Sequence, residues 1–214
     1  VPQGSVLGPL LFILYINDVV LTISEESDIN MFADDIAMYR IIRSASDYEH
    51  LQDDIDSVAT CIDAKHLRFN AEKCKLMLVT RKNSKSLPPP DLTLNGAVLK
   101  RVYSYRYLGL TLTSNMSWSS HITDCCNKTR RLIGLLYRRF GQHSNSATLV
   151  NLYRSFIRPH LEYASIVWNP SLKCDITAIE SVQNFALRVC MKSWNSAYDD
   201  LLAATNLPSL QNRR

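Results

Sequence analysis

Phe32-Ala33-Asp34-Asp35 sets two adjacent carboxylates inside an otherwise apolar stretch, Ile29 to Tyr39. Neighbouring acids repel, and burying them without partners is costly. A divalent cation would answer both problems, and carboxylate oxygens suit Mg²⁺ or Mn²⁺. Where two such ions are held together, one activates a hydroxyl and the other stabilises a leaving oxygen. An Asp–Asp pair is also at home in an ordinary surface turn. A second feature stands just upstream. Val1–Pro9 is rich in Gly and Pro and leads into a helix, and the free amides at a helix start can hold phosphate. The plainer reading of that segment is a capped helix start.

These residues need elements to position them. A helix is predicted from Pro9, with Leu7, Leu10, Leu11 and Leu14 as its apolar stripe and Asn17–Asp18 as a polar end. Ile29–Phe32 and Ile36–Ile41 read as a hairpin with the acids at its turn. A helix fits Ala45 to about His66, with Leu51, Ile55, Val58, Ala59 and Ile62 on its apolar face. Lys75–Thr80 is a strand candidate, and Ser84–Asp91, with three prolines in succession, is a loop. Leu92–Leu94 and Val98–Leu99 form a hairpin around Asn95–Gly96, and a further strand pair fits Val102–Thr113. Beyond Trp118 the pattern turns helical: His121–Phe140, Ser144–Ile157, Leu161–Trp168 and Ile176–Trp194. The chain is therefore expected to be α+β, with a mixed region 1–115 and a helical region 116–214.

Hydrophobic residues make up 46% of the 214, enough for a globular core rather than a disordered chain. The net charge of +4 is too small to imply a partner by itself. Its distribution says more. Lys65, Arg68, Lys73, Lys75, Arg81, Lys82 and Lys85 cluster in one stretch, and Lys128, Arg130, Arg131, Arg138 and Arg139 in another. Asp47, Glu49, Asp53, Asp54 and Asp56 form an acidic run. Such asymmetry fits one basic working face; ordinary solvated helix surface is the plainer reading. The six cysteines contain no CxxC pair, which points away from zinc and toward reduced thiols in an intracellular setting. No apolar run is long enough to span a membrane.

Taken together, these segments resemble reverse transcriptases of non-LTR, Jockey-like retrotransposons. Val1-Pro2-Gln3-Gly4-Ser5-Val6-Leu7-Gly8-Pro9-Leu10-Leu11-Phe12, followed by Tyr15-Ile16-Asn17-Asp18, looks like the family's motif B. Phe32-Ala33-Asp34-Asp35 looks like motif C, and Leu67-Arg68-Phe69-Asn70-Ala71-Glu72-Lys73-Cys74 like motif D. Tyr107-Leu108-Gly109, preceded by Leu94-Asn95-Gly96, resembles the primer-grip motif E. Trp118, His121-Ile122, Pro159-His160-Leu161-Glu162-Tyr163-Ala164 and Trp168 look like the thumb of these elements.

The resemblance implies a right-hand polymerase palm with a catalytic hairpin, followed by an all-helical thumb. It implies an RNA template, a DNA primer and dNTPs as partners, and two Mg²⁺ or Mn²⁺ ions in the complete enzyme. Asp34 would be the main metal ligand, with Asp35 assisting. Pro2, Gln3, Gly4 and Ser5 would line the nucleotide and template pocket, and Lys73 would act on the leaving pyrophosphate. A salt bridge to the acidic helix is the other reading of Lys73. Tyr107, Leu108 and Gly109 would place the primer end, and Lys65, Arg68, Lys75, Lys128, Arg130 and Arg131 would meet phosphates.

The chain departs from the family pattern in a few places. It starts at motif B, so the motif A aspartate and the fingers lie outside it, and this fragment is expected to be inactive alone. Cys74 stands where the family often has Thr or Ser, and Ile62 lies where a Trp is common. A non-catalytic RNA-binding remnant and an RNA-directed RNA polymerase are the competing functions, the thumb resemblance weighing against the second.

Overall fold

The computed structural model describes residues 4–80 and 90–214. The chain divides into two compact units, Val1–Tyr105 and Arg106–Arg214. The expected strand pair before residue 115 thus falls largely with the helical part rather than with the mixed one. No helix among the described residues is long and apolar enough to cross a membrane.

The first unit is mixed α/β. Helix α1 (Gly8–Ile16) runs into a tighter 3₁₀ turn at Asn17–Thr22. The β1 (Ser27–Phe32) and β2 (Asp35–Arg40) strands form an antiparallel hairpin, with Ile29 opposite Met38 and Met31 opposite Ile36. Because side chains alternate across a strand, those four share one face. They pack on Ile16, Val19, Val58 and Ile62, the last two from α2 (Ser46–Ala64). The next stretch of α2, Ile55 and Ala59, closes a second core with Leu92, Leu94 and Leu99. β4 (Thr93–Leu94) and β5 (Ala97–Val98) turn through Asn95 and Gly96, both at positive φ, as the Asn-Gly dipeptide requires.

Two expectations for this unit change. Strand β3 is only Lys75–Leu76, because its parallel partner β6 (Lys100–Arg101) offers just two residues to pair with. The loop from Ser84 lies outside the described residues except for Pro90 and Asp91, as do Arg81, Lys82 and Lys85. The α1 helix exists where predicted but faces the other way. Gly8, Phe12 and Ile16 turn inward, while Leu7, Leu10, Leu11 and Leu14 are exposed, Leu14 at 66%. A segment reading Gly-Pro-Leu-Leu-Phe-Ile-Leu-Tyr-Ile is apolar nearly all round, so its periodicity could not identify the inner face.

The second unit opens with a hairpin of β7 (Ser104–Tyr107) and β8 (Leu110–Thr113), the unit boundary falling inside β7. All remaining structure is helical: α3 (Ser119–Phe140), α4 (Ser146–Leu152) widening into a π turn at Tyr153–Ile157, α5 (Pro159–Glu162), α6 (Ser165–Trp168), α7 (Lys173–Met191) and α8 (Tyr198–Thr205). One continuous core joins them, centred on the fully buried Trp168, Tyr153, Ile133, Leu149 and Val182. Gln183 is buried with every amide atom engaged. Its Oε1 accepts from the Tyr153 hydroxyl at 2.9 Å, and its Nε2 donates to the Tyr198 hydroxyl and the Pro208 carbonyl, each at 3.0 Å. A satisfied polar group of this kind specifies one arrangement of the surrounding helices. The single helix expected over Leu161–Trp168 is two short ones, broken at Tyr163–Ala164, where Ala164 takes a left-handed φ of 52°.

Candidate active site

Asp34 and Asp35 stand at the tip of the β1–β2 hairpin. Phe32 pairs with Asp35, so Ala33 and Asp34 form the two-residue turn. Ala33 has φ 53°, a conformation that costs an L-residue roughly 1–2 kcal/mol. Ala33, Asp34 and Asp35 are all exposed, and so is Phe32. The apolar surroundings seen in sequence belong to the inner face of the strands. The acids project beyond it into solvent.

The hairpin is fastened at its other end. Arg40, opposite Ser27 at the open end of the ladder, has a side chain only 3% exposed. Its guanidinium donates to the Ser24 and Ser27 hydroxyls at 2.9 and 3.0 Å, reaches Glu26, and lies 3.6 Å from Asp54. Asp54, buried on α2, accepts from the Ser24 amide and hydroxyl at 2.8 Å and from the Ser27 hydroxyl at 2.5 Å. Burial pushes its pKa up, but these hydroxyls, the amide and the Arg40 charge outweigh it and hold the carboxyl below the usual 3.8. Asp47, at the start of α2, accepts from the Arg43 and Ser44 amides and the Ser44 hydroxyl, which lower it to about 2. None of Ser24, Ser27, Arg40 or Asp54 was singled out from sequence as a site-supporting residue. The signal was an acid, Asp54, at the edge of an apolar helical stripe.

Lys73 is exposed on a short turn that Asn70 builds. The Asn70 carbonyl accepts from the Lys73 and Cys74 amides at 2.9 and 3.1 Å, and its side-chain oxygen accepts from the Glu72 amide at 3.1 Å. Leu67 and Phe69 before the turn, and Cys74 after it, pack into the cores, so Lys73 is offered to solvent from a fixed base. Burial raises the Cys74 thiol pKa, which keeps it protonated and unreactive. Pro2 and Gln3 lie outside the described residues; Gly4 and Ser5 are exposed.

Several of the candidate phosphate-binding cations are already engaged. Lys65 pairs with Asp18 at 2.7 Å and lies 5.0 Å from the Tyr15 ring centroid, tying α1 to the end of α2. Lys75 donates to the Glu72 carbonyl, while Arg68 is exposed. On α3, at about 100° per residue, Lys128, Arg131, Arg138 and Arg139 fall in one stripe roughly 100° wide. All four are exposed. Arg130 lies on another side of the helix and donates to Ser181 of α7 at 3.1 Å. Leu108 and Gly109, at φ 45° and 82°, make the tip of the β7–β8 hairpin, with Tyr107 entering it.

Asp34 and Asp35 offer hard oxygen donors of the kind Mg²⁺ or Mn²⁺ takes. Among the described residues, however, no group of three or more His, Cys, Asp or Glu side chains gathers. Two neighbouring carboxylates fit part of a coordination set, and the remainder would have to come from elsewhere. All six cysteines are free thiols.

Residues 1–112 match the family model described as reverse transcriptase (RNA-dependent DNA polymerase). Among curated proteins, the chain is 28% identical over 221 residues to the RNA-directed DNA polymerase from mobile element jockey of Drosophila melanogaster, covering 98% of this chain and 24% of that protein. It is 25% identical to the probable RNA-directed DNA polymerase from transposon X-element of the same species, covering 88% of this chain and 21% of that protein. A retrovirus-related Pol polyprotein from type-1 retrotransposable element R1 2 of Nasonia vitripennis is 24% identical, with 89% of this chain and 48% of that protein covered. The chain thus spans about a quarter of the length of the jockey relative. No solved structure matches it significantly.

Proposed function

The chain belongs to the reverse transcriptase (RNA-dependent DNA polymerase) family, and from that membership we propose that it is part of an enzyme that extends a DNA primer on an RNA template. Residues 1–115 are the palm portion in this reading and 116–214 the thumb and connection. The observation that carries it is the tip of the β1–β2 hairpin, where Asp34 and Asp35 are exposed side by side on a turn whose strands are packed on one face and braced at the base.

The reaction is attack of the primer 3′-hydroxyl on the α-phosphate of an incoming dNTP, releasing pyrophosphate. Asp34 is the main divalent-cation ligand and Asp35 assists. The ions, when bound, supply hydroxyl activation and charge neutralisation. Lys73 offers its ammonium to the charge that develops on the leaving pyrophosphate. Pro2, Gln3, Gly4 and Ser5 line the nucleotide and template pocket, and Tyr107, Leu108 and Gly109 hold the primer end. The α3 stripe of Lys128 and Arg131, extended by Arg138 and Arg139, neutralises duplex phosphates, with affinity that falls as salt rises. Arg68 from the first unit also meets phosphates, while Arg130, Lys65 and Lys75 first have to leave their present partners.

The 214-residue chain alone is proposed to be inactive. Its two carboxylates are short of a two-ion ligand set, and a further acid would come from a longer polypeptide. The exposed leucines of α1 support the same view, because an apolar helix face is ordinarily covered, here by the fingers and the rest of the palm.

Primer extension on an RNA template with Mg²⁺ or Mn²⁺ tests the reading, comparing this chain, the longer polypeptide and its Asp34→Asn form. Extension is expected from the longer polypeptide only, and D34N should lower it by at least about a hundredfold while leaving template binding intact. A longer polypeptide that binds primer–template yet never extends it would hand the assignment to the non-catalytic RNA-binding reading.

A further inference from the structure

The segment Pro159–Ala164 has no task in the reaction above, but its surroundings in the second unit point to one. The Tyr163 amide donates to the Pro159 carbonyl at 2.9 Å, and the chain then swings through left-handed Ala164. The fully buried Trp168 donates its indole N–H to the Tyr163 carbonyl at 2.7 Å. Trp168 is itself held edge-on by His121, with ring centroids 5.2 Å apart, and covered by Arg214, whose guanidinium lies 4.7 Å from the ring centroid. The Tyr163 main chain is therefore tied to the core, while the residue as a whole is 58% exposed.

That side chain meets the tip of the β7–β8 hairpin. The Tyr163 hydroxyl donates to the Leu108 carbonyl at 3.0 Å. The ring lies so close to Gly109 that a Cβ there would stand 3.1 Å from Cε1. Leu108 is a poor choice for a left-handed turn position, unlike Asn95 at the tip of β4–β5. A turn with such a residue needs an outside hold to stay in one shape, and Tyr163 is placed to provide it.

We propose that Tyr163 is a positioning residue for primer engagement, keeping the Tyr107-Leu108-Gly109 turn in the shape that receives the primer end. This rests on the primer-grip reading of that turn. Placing a reacting end demands precision of about 0.5 Å, which a turn free to change shape does not supply.

Three readouts on the 214-residue chain and its Y163A and Y163F forms test the proposal. They are amide exchange at residues 107–110, crosslinking of a photoreactive 3′-terminal primer nucleotide on an RNA template, and affinity for a duplex closed at both ends. Y163A should speed exchange in the turn about tenfold and lower the primer-end crosslink by a similar factor, with binding of the closed duplex unchanged. Y163F, which keeps the ring and loses the hydroxyl, should show roughly a threefold effect on both. A folded Y163A whose turn exchanges like the unmodified chain overturns the proposal. Should Y163A fail to fold, an unchanged exchange rate and crosslink in Y163F overturn it instead. Failure of the underlying reading looks different: the turn loosens in Y163A, but the primer end never crosslinks to residues 107–109 even in the unmodified chain.

Discussion

The β1–β2 and β7–β8 hairpins both bend through two-residue turns that contain a non-glycine residue at positive φ. They are fastened at opposite ends. β1–β2 is tied at its base by Arg40 and Asp54, five ladder steps or about 17 Å from the tip. Its tip, with Asp34 and Asp35, stands in solvent. β7–β8 is held at the tip itself by Tyr163, and on β8 by the Thr111 amide, which donates to His121 Nδ1 at 3.2 Å. On the proposed function, a turn offering carboxylates to a cation is served by support that leaves those oxygens unengaged, and a turn whose contribution is its shape is served by support at the turn. The material of each brace differs too. The first is a buried ion network in which Arg40 Nε has no hydrogen-bond partner among the described residues, only the Asp47 carboxylate at 3.7 Å. The second is aromatic, built on Trp168 inside a continuous core.

The largest expected effect breaks the first brace. D54A removes the buried carboxylate that accepts from Ser24 and Ser27 and lies 3.6 Å from Arg40, which keeps Glu26, and should cost about 3 kcal/mol. Trp118, Trp168 and Trp194 all belong to the second unit. Urea unfolding followed by amide exchange over residues 27–40 should therefore shift, while tryptophan fluorescence should not. Equal shifts in both signals would mean the two units do not unfold separately.

A smaller effect is expected at the second tip. G109A places a Cβ at φ 82° and against the Tyr163 ring, and should cost about 1–2 kcal/mol, read by tryptophan fluorescence. Combining it with Y163A should recover part of that cost, because the contact is then gone. Strict additivity would argue that only the backbone strain matters.

The mildest perturbation is acid, and it should loosen the hairpins in different windows. Burial among the aromatic rings lowers His121 below its usual 6.5, with Asp124 opposing and Arg106 reinforcing the shift. The unfolded chain thus takes up the proton first. The stability His121 contributes is complete above pH 6.5 and declines as pH falls below it toward the folded value. Asp54 and Asp47 are depressed from 3.8, so their contribution is complete above that pH and drains as pH falls through their folded values, about 2 for Asp47. Amide exchange from pH 7 to 3 should show β7–β8 responding before β1–β2; the reverse order would contradict the assignment of the braces.

Much of this arrangement was legible beforehand. The two short hydrophobic runs Ile29–Phe32 and Ile36–Ile41 around Asp34–Asp35 specified a hairpin with acids at the turn. The helical repeat of Leu51, Ile55, Val58 and Ile62 specified α2, and Asn95–Gly96 specified its own turn. Four features were not legible for physical reasons. The inner face of α1 was hidden by an all-round apolar sequence. The length of β3 depended on a partner that runs for two residues. The break at Tyr163–Ala164 depends on an indole five residues along the chain accepting the role of donor to the Tyr163 carbonyl. The short helix α8 was missed, for Tyr198–Thr205 is little more than two turns and gains its place by packing Leu201 into the core.

By itself, then, the sequence determined that Asp34 and Asp35 meet at a hairpin turn and that Lys73 follows a short turn of its own, because turns and periodicities are short-range properties. It also determined the order of a mixed region followed by a helical one. Only the tertiary structure decided what supports those residues. Arg40 reaches Asp54 across 14 residues of sequence, and Tyr163 reaches Leu108 across 55. Hydrogen bonds and ion pairs between side chains so far apart are set by how elements pack, and no local pattern of residue types records that packing.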